Sequence, residues 1–277
     1  MDPLTLPARS WLFVPATRID RIAKAAAAGA DRIIVDLEDA VAPSEKVAAR
    51  LGLASAQFPT DVPVYVRVNA ASTEWFAGDV EAAASLPITG ILLPKADVPQ
   101  EVDRATARLP TSFHVVPIIE TAIGFWNVLE VARASRVERL VFGALDFQLD
   151  TGMHDADDAY AYVRSRITIA SRVARIGAPL DSVCLSIHDE PVIAADAARG
   201  RHFGCCGKLC IHPNQVRVAN RVFRPTDEEI EWAQSVLRER DARPADAVFS
   251  HRGALVDRPV IERAAQIVSL AAAITQP

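Results

Sequence analysis

The chain has 277 residues, half of them hydrophobic and 23% charged, with a formal net charge of −5. That composition belongs to a globular protein rather than a disordered one, and the scattered basic residues give no general pull toward nucleic acid. No window holds the ~18 apolar residues of a membrane span, and residues 1–9 carry no basic leader ahead of an apolar stretch, so a cytoplasmic location is the default expectation.

In chain order, short β-branched apolar runs fall at residues 11–14, 32–36, 64–68, 90–93, 114–119, 138–142, 182–185 and 208–211. Helical signals lie between them: 18–28 is Ala-rich and amphipathic, 44–55 opens on Ser44 as an N-cap, and 160–176 repeats apolar residues at helical spacing. Such alternation implies parallel strands joined by right-handed crossovers, and an unbroken Ile33-Ile34-Val35 suits a strand buried on both faces. Eight units predict an α/β protein, a (β/α)8 TIM barrel over residues 1–225. An open sheet binding a dinucleotide would show a glycine fingerprint after an early strand, and a nucleotide hydrolase a GxxxxGK[ST] loop; neither occurs. A charged helix over 226–243, a short hairpin or loop over 248–256 and a final helix from Pro259 predict a C-terminal helical/hairpin extension over 226–277.

Catalytic groups of such barrels sit at the C-terminal strand ends, which directs attention to the polar residues just past each run. These are Asp36, Glu38 and Asp39 after the second, Arg67 and Asn69 after the third, Lys95, Glu120 and Asp146 after the next three, then His188 and His212. Loops are polar for ordinary reasons of solvation, so the argument rests on the set. Glu120 and Asp146 follow adjacent runs and would send two carboxylates into one space, where they repel unless a cation lies between. Two hard oxygen ligands suit Mg²⁺, which keeps waters and accepts substrate oxygens; ion pairing with Arg67 or Lys95 is the alternative, and spacing leaves both open. Glu38 and Lys95, on neighbouring strand ends, are expected to pair and orient the site without entering the reaction. His188 and His212 read as loop hydrogen-bonding groups. Cys184, Cys205, Cys206 and Cys210 do not form a disulfide framework; the last three with His212 raise the idea of zinc, but no CxxC pair exists and reduced thiols near a strand is the reading taken.

Several segments carry a resemblance: Arg9-Ser10-Trp11-Leu12-Phe13-Val14-Pro15, Asp36-Leu37-Glu38-Asp39-Ala40-Val41, Val66-Arg67-Val68-Asn69, Pro94-Lys95, Ile119-Glu120-Thr121-Ala122, Phe142-Gly143-Ala144 with Asp146, and Lys208-Leu209-Cys210-Ile211-His212-Pro213. In this order, from Arg9 to about Ala265, they resemble the citrate lyase beta subunit-like proteins of the HpcH/HpaI aldolase/citrate lyase family. The resemblance implies a Mg²⁺-dependent carbon–carbon lyase of 3-hydroxy acyl-CoA thioesters such as citryl-, malyl- or citramalyl-CoA, working through a thioester enolate on a homo-oligomer (trimer or hexamer). It matches Glu120 and Asp146 to metal ligands, Glu120 and Arg67 to substrate contacts, and Arg67 to the arginine that stabilises negative charge. Asp257 matches the acid/base aspartate that the C-terminal extension supplies to a neighbouring subunit's site. Arg18 is a candidate contact for a coenzyme A phosphate, with an exposed helix-start arginine as the alternative.

This chain departs from the family pattern in having Leu145-Asp146 where Glu-Asp is common, and Gly204-Cys205-Cys206-Gly207 where the family is Gly-rich. Leu145 removes a charge beside the proposed metal and makes the pocket less polar. Competing readings are thioester hydrolysis on the same site, a pyruvate-type class II aldolase acting on free 2-oxo acids, and a noncatalytic subunit that binds coenzyme A or a carrier protein. Asp36-Leu37-Glu38-Asp39 stands where the pyruvate-type branch places a histidine, and a Schiff-base aldolase would need Lys95 or Lys208. The expected partners are small molecules and copies of the chain, with no nucleic acid and no membrane.

Overall fold

In the computed structural model, which describes residues 8–154, 159–244 and 246–275, the strands close into a parallel barrel in chain order. They are β1 (Ser10–Pro15), β2 (Arg32–Asp36), β3 (Val64–Arg67), β4 (Gly90–Leu93), β5 (His114–Ile119), β6 (Val141–Phe142), β7 (Leu180–Asp181) and β8 (Gly207–Cys210). β1 closes the ring on β8 through Ser10 opposite Lys208. The (β/α)8 expectation is met.

Period-two alternation divides the apolar residues between two layers. Ile34 faces the barrel axis with Trp11, Tyr65, Leu92, Val116 and Leu180. Its neighbours Ile33 and Val35 point outward and pack among the residues that hold the surrounding helices, which is why β2 is buried along its whole length. Trp11 and Tyr65 stack with centroids 4.6 Å apart. The buried polar end of Tyr65 donates to Glu138, whose other oxygen takes Arg139 Nε at 2.9 Å. A phenol and a carboxylate can lie inside the barrel because each is bonded.

Two strands differ from expectation. β7 is Leu180–Asp181, and 182–185 form the loop beyond it. The reason is Asp181, a buried carboxylate bonded at 2.9 Å to Arg164 Nε of the helix Ala161–Ala174. A charge that is neutralised from outside the sheet interrupts the apolar run that would mark the strand. β6 likewise shrinks to Val141–Phe142, because Glu138 and Arg139 at the start of the expected run turn to the polar network under the barrel.

The barrel forms one compact unit, Ala8–Phe223, and a second unit begins at Arg224. In the second, the helix Asp227–Ala242 opens on a capping box between Thr226 and Glu229, at 3.1 and 2.8 Å. Strands Phe249–His251 and Ala254–Val256 pair antiparallel across Arg252 and Gly253, whose φ angles of 51° and 81° fit a tight primed turn. The helix Arg258–Thr275 follows, and Ala233, Val236, Phe249, Val256 and Ala264 form the unit's own core. Among the described residues no helix is long and apolar enough to cross a membrane.

Candidate active site

A cavity of about 380 Å³ opens at the C-terminal ends of the barrel strands. Its polar wall is Asp36, Asp39, Arg67, Glu120 and Asp146. Each is delivered by a strand end or the first turn after one.

Glu120 directly follows β5 and its side chain is 4% exposed. Oε1 accepts the backbone N–H of Lys95 at 2.8 Å. Lys95 adopts a left-handed φ of 49°, a conformation disfavoured for a long side chain and concentrated at functional sites. Gly143, the residue after β6, gives Glu120 its room: a Cβ there would lie 2.6 Å from Glu120 Cβ and collide with the carboxylate. Asp146 stands in the first turn of the helix Ala144–Thr151, where the free N–H groups favour a negative charge, and Ser182 Oγ accepts Ala144 N–H at 3.0 Å.

These acids share one cation. Lys95 Nζ lies 3.1 Å from Glu38 Oε1, 3.1 Å from Asp146 Oδ1 and 3.9 Å from Glu120 Oε1. The structure thus brings Glu120, Asp146, Glu38 and Lys95 together, and the ion pair considered from spacing is present. Burial, reinforced by the charges of Glu38 and Asp146, pushes the Glu120 carboxyl up to about 8, with Lys95 opposing. Burial also raises Glu38 against the pull of Arg67 and Lys95. Burial alone would weaken the Lys95 charge, but Glu38, Glu120 and Asp146 hold its ammonium above the ordinary lysine range.

Arg67 ends β3 and is fixed by acids from the neighbouring strand. Nε and Nη2 each bond Asp36 at 2.7 Å, Nη1 lies 3.0 Å from Glu38 and 3.4 Å from Asp39, and the guanidinium covers the Phe13 ring at 4.7 Å. Desolvation works against the charge, yet Asp36 and then Glu38 and Asp39 keep it protonated well above its ordinary range. Asp36, like Asp39, lines the site although its place in the sequence suggests no role for it. It also accepts the backbone N–H groups of Glu38 at 2.9 Å and Ala40 at 3.0 Å, so it shapes the loop as well as the arginine. Its position opposite Arg67, one strand-spacing away, is the signal that could have found it.

Other candidates fall elsewhere. Arg18 is exposed and bonded twice to Asp20, at 2.9 and 2.8 Å; with Arg21, Lys24 and His212 it lines a separate cavity of about 550 Å³. His212 Nδ1 accepts Asn214 N–H at 3.2 Å as N-cap of the helix Pro213–Val222, and meets His188 edge-on at 5.9 Å. Lys208 is fully buried against Asp196, away from a role as an exposed amine. Cys205 and Cys206 precede β8 whereas Cys210 ends it and His212 lies beyond, so the strand's length separates the members of the zinc idea. Asp257 belongs to the second unit, where it is half-buried and its Oδ1 accepts Val260 N–H at 3.4 Å. Among the described residues no three His, Cys, Asp or Glu side chains form a ready-made metal cage. A metal held by Glu120 and Asp146 would therefore complete its shell with water and substrate oxygens.

The family model described as HpcH/HpaI aldolase/citrate lyase matches residues 9–213. The chain is 34% identical to the citrate lyase subunit beta-like protein of Deinococcus radiodurans, with 94% of this chain and 96% of that protein covered. It is also 34% identical to the (3S)-malyl-CoA thioesterase of Cereibacter sphaeroides, covering 97% and 96%. A crystal structure of CitE from Mycobacterium tuberculosis in complex with magnesium, acetoacetate and coenzyme A superposes with a TM-score of 0.84 at 35% identity, covering 95% of this chain and 97% of that one.

Proposed function

Since the chain belongs to the HpcH/HpaI aldolase/citrate lyase family, we propose that it is a Mg²⁺-dependent carbon–carbon lyase that cleaves or forms a 3-hydroxy acyl-CoA thioester. The observation that carries this reading is the convergence of Glu120 and Asp146 on one cation position beside Arg67. The site is a fit for a divalent ion: its donors are hard oxygens, and burial among like charges has already pushed Glu120 up to about 8, the mark of a place short of positive charge. Glu120 and Asp146 would hold the ion. When bound, it supplies Lewis-acid polarisation and offsets the charge of substrate oxygens.

The remaining work falls to the chain's own groups. Cleavage breaks the bond between the carbinol carbon and the carbon next to the thioester; the bond's electron pair enters the thioester enolate, the hydroxyl loses its proton, and the enolate carbon takes one up. Arg67 spends its Nε–H and one Nη2–H on Asp36 and turns Nη1 to Glu38 and Asp39, which leaves one Nη2–H for the enolate oxygen. Asp257, supplied by a neighbouring copy in a homo-oligomer, moves the proton. Glu38 and Lys95 orient the acids. The basic groups Arg18, Arg21 and Lys24 suit the phosphates of coenzyme A.

Mass spectrometry of malyl-, citramalyl- and citryl-CoA incubations tests the reading: a shortened acyl-CoA should appear with Mg²⁺ and vanish with a chelator. Unchanged cleavage by a Glu120→Gln, Asp146→Asn double variant would overturn it. Thioester hydrolysis is the second reading, favoured by the similarity to a malyl-CoA thioesterase; free coenzyme A in place of acetyl-CoA identifies it.

A further inference from the structure

Lys46, the first residue of the helix Lys46–Gly52, is buried. Its Nζ donates to the carbonyl of Leu37 at 3.0 Å and to that of Glu38 at 2.9 Å, and lies 5.1 Å from the centre of the Trp75 ring. Among the described residues no carboxylate pairs with this ammonium, which rests on the two carbonyls and the face of the ring. A buried ammonium is costly to desolvate, and an apolar side chain would fill the same space without that cost. What the lysine adds is a hold on the backbone that carries Glu38.

That hold is anchored on its far side. One turn along the helix, Arg50 Nη1 reaches Asp79 at 3.3 Å. Asp79 is fully buried and also accepts the backbone and side-chain N–H groups of Asn69, at 3.0 and 2.6 Å. Asn69 Nδ2 in turn donates to the Leu37 carbonyl at 3.1 Å, so the loop after β2 is tied both to the helix and to the residue two beyond β3.

This loop is where the two cations of the site meet. Among the described residues Glu38 is the one acid paired with both, with Lys95 through Oε1 at 3.1 Å and with Arg67 through Oε2 at 3.0 Å. Its backbone is held at both ends: Asp36 accepts its N–H at 2.9 Å, and its carbonyl accepts Lys46 and the Val41 N–H, the latter at 3.1 Å. Were that carbonyl to swing away, the carboxylate would leave Lys95. The Lys95 ammonium would then rest on Glu120 and Asp146 alone and oppose a metal ion there.

We infer that Lys46 is a positioning residue: by fixing the backbone of Glu38 it keeps that carboxylate on Lys95 and Arg67 and leaves Glu120 and Asp146 open to the ion. The effect on Mg²⁺ rests on the reading of those two acids as the metal site, whereas the link between Lys46 and Glu38 can be measured without metal.

A double-mutant cycle of Lys46→Met and Glu38→Gln on the intact protein tests it. Met fills the space of the lysine stem, and the two carbonyls keep their other donors, Asn69 for Leu37 and Val41 for Glu38, so the variant should fold. In calorimetry, Lys46→Met should weaken Mg²⁺ binding about tenfold in the wild-type background and less than about twofold in the Glu38→Gln background. The drop in urea midpoint caused by Lys46→Met, measured in chelator, should likewise shrink by about half or more in the Glu38→Gln background. Additive urea effects would overturn the inference, since a lysine that only braces the interior costs the same whatever stands at position 38. Unchanged Mg²⁺ binding by Lys46→Met, in a protein that otherwise binds the ion, would overturn it as well. If the wild type binds no Mg²⁺, the metal reading fails and the urea cycle alone decides this one. Should Lys46→Met not fold, Lys46→Gln, which keeps a donor for one carbonyl, carries the same comparison.

Discussion

Asp36 and Arg67 are register partners across β2 and β3, and their side chains are joined by two bonds of 2.7 Å at the floor of the cavity. Parallel strands place partner residues on the same face, so the backbone pairing that closes this part of the barrel also aims the arginine. Fold and site share that single contact. An arginine bound in this bidentate way is rigid before any ligand arrives, and preorganised charge is what an anionic transition state rewards.

Replacing Asp36 with Asn should therefore free Arg67 and loosen the loop that begins at Glu38. Removing one member of a buried ion pair costs about 3 kcal/mol, to be read as a lower urea midpoint. Turnover should fall more than substrate affinity. Wild-type stability and turnover together would show that Glu38 and Asp39 hold the arginine without Asp36.

The Glu120 carboxyl gives the metal-free protein a defined pH response. Its folded pKa, about 8, lies above the ordinary 4.5. The folded state then holds a proton that the unfolded state has lost between those values. The stability this contributes is complete below about pH 4.5 and is lost as pH rises through about 8. Glu120→Gln should flatten that loss, measured by thermal unfolding across the pH range in chelator, and should weaken Mg²⁺ binding in calorimetry by about tenfold or more. A wild-type curve parallel to the Gln variant's would refute the assignment.

Lys95 supplies the ammonium that three carboxylates share. Lys95→Met should destabilise the metal-free protein by about 2 kcal/mol, and added Mg²⁺ should restore more stability to the variant than to the wild type. Equal metal-induced shifts in melting temperature would mean that the ammonium and the metal do not address the same acids.

Gly143→Ala tests a purely steric requirement. The added methyl would press on Glu120, whose backbone lies on the next strand, and overpacking of this kind costs about 1–3 kcal/mol. Metal affinity should drop together with stability. Full Mg²⁺ binding by the Ala variant would show that Glu120 has another rotamer available.

Asp257→Asn should abolish turnover while leaving Mg²⁺ binding intact. Mixing it with Glu120→Gln protein under exchanging conditions should restore part of the activity if the aspartate acts in a neighbouring copy's site. No recovery, with mixed oligomers confirmed by native mass spectrometry, would exclude that arrangement.

Residue order alone determined the barrel, because alternation of apolar runs with helical periodicity is a local property of the chain and the strand ends inherit their polar residues from it. Glu120, Asp146, Arg67 and Lys95 were legible for that reason, each standing just past or at the end of such a run. β7 was displaced because Asp181 is neutralised by Arg164 from a helix, a compensation that no window on the strand contains. Asp36 went unassigned for a related reason: its importance lies in facing Arg67 across 31 residues of sequence. The cation that Glu38, Glu120 and Asp146 share was likewise decided only when the strands closed, since electrostatic energy depends on separation in space and on exclusion of water, neither of which is written at any single position.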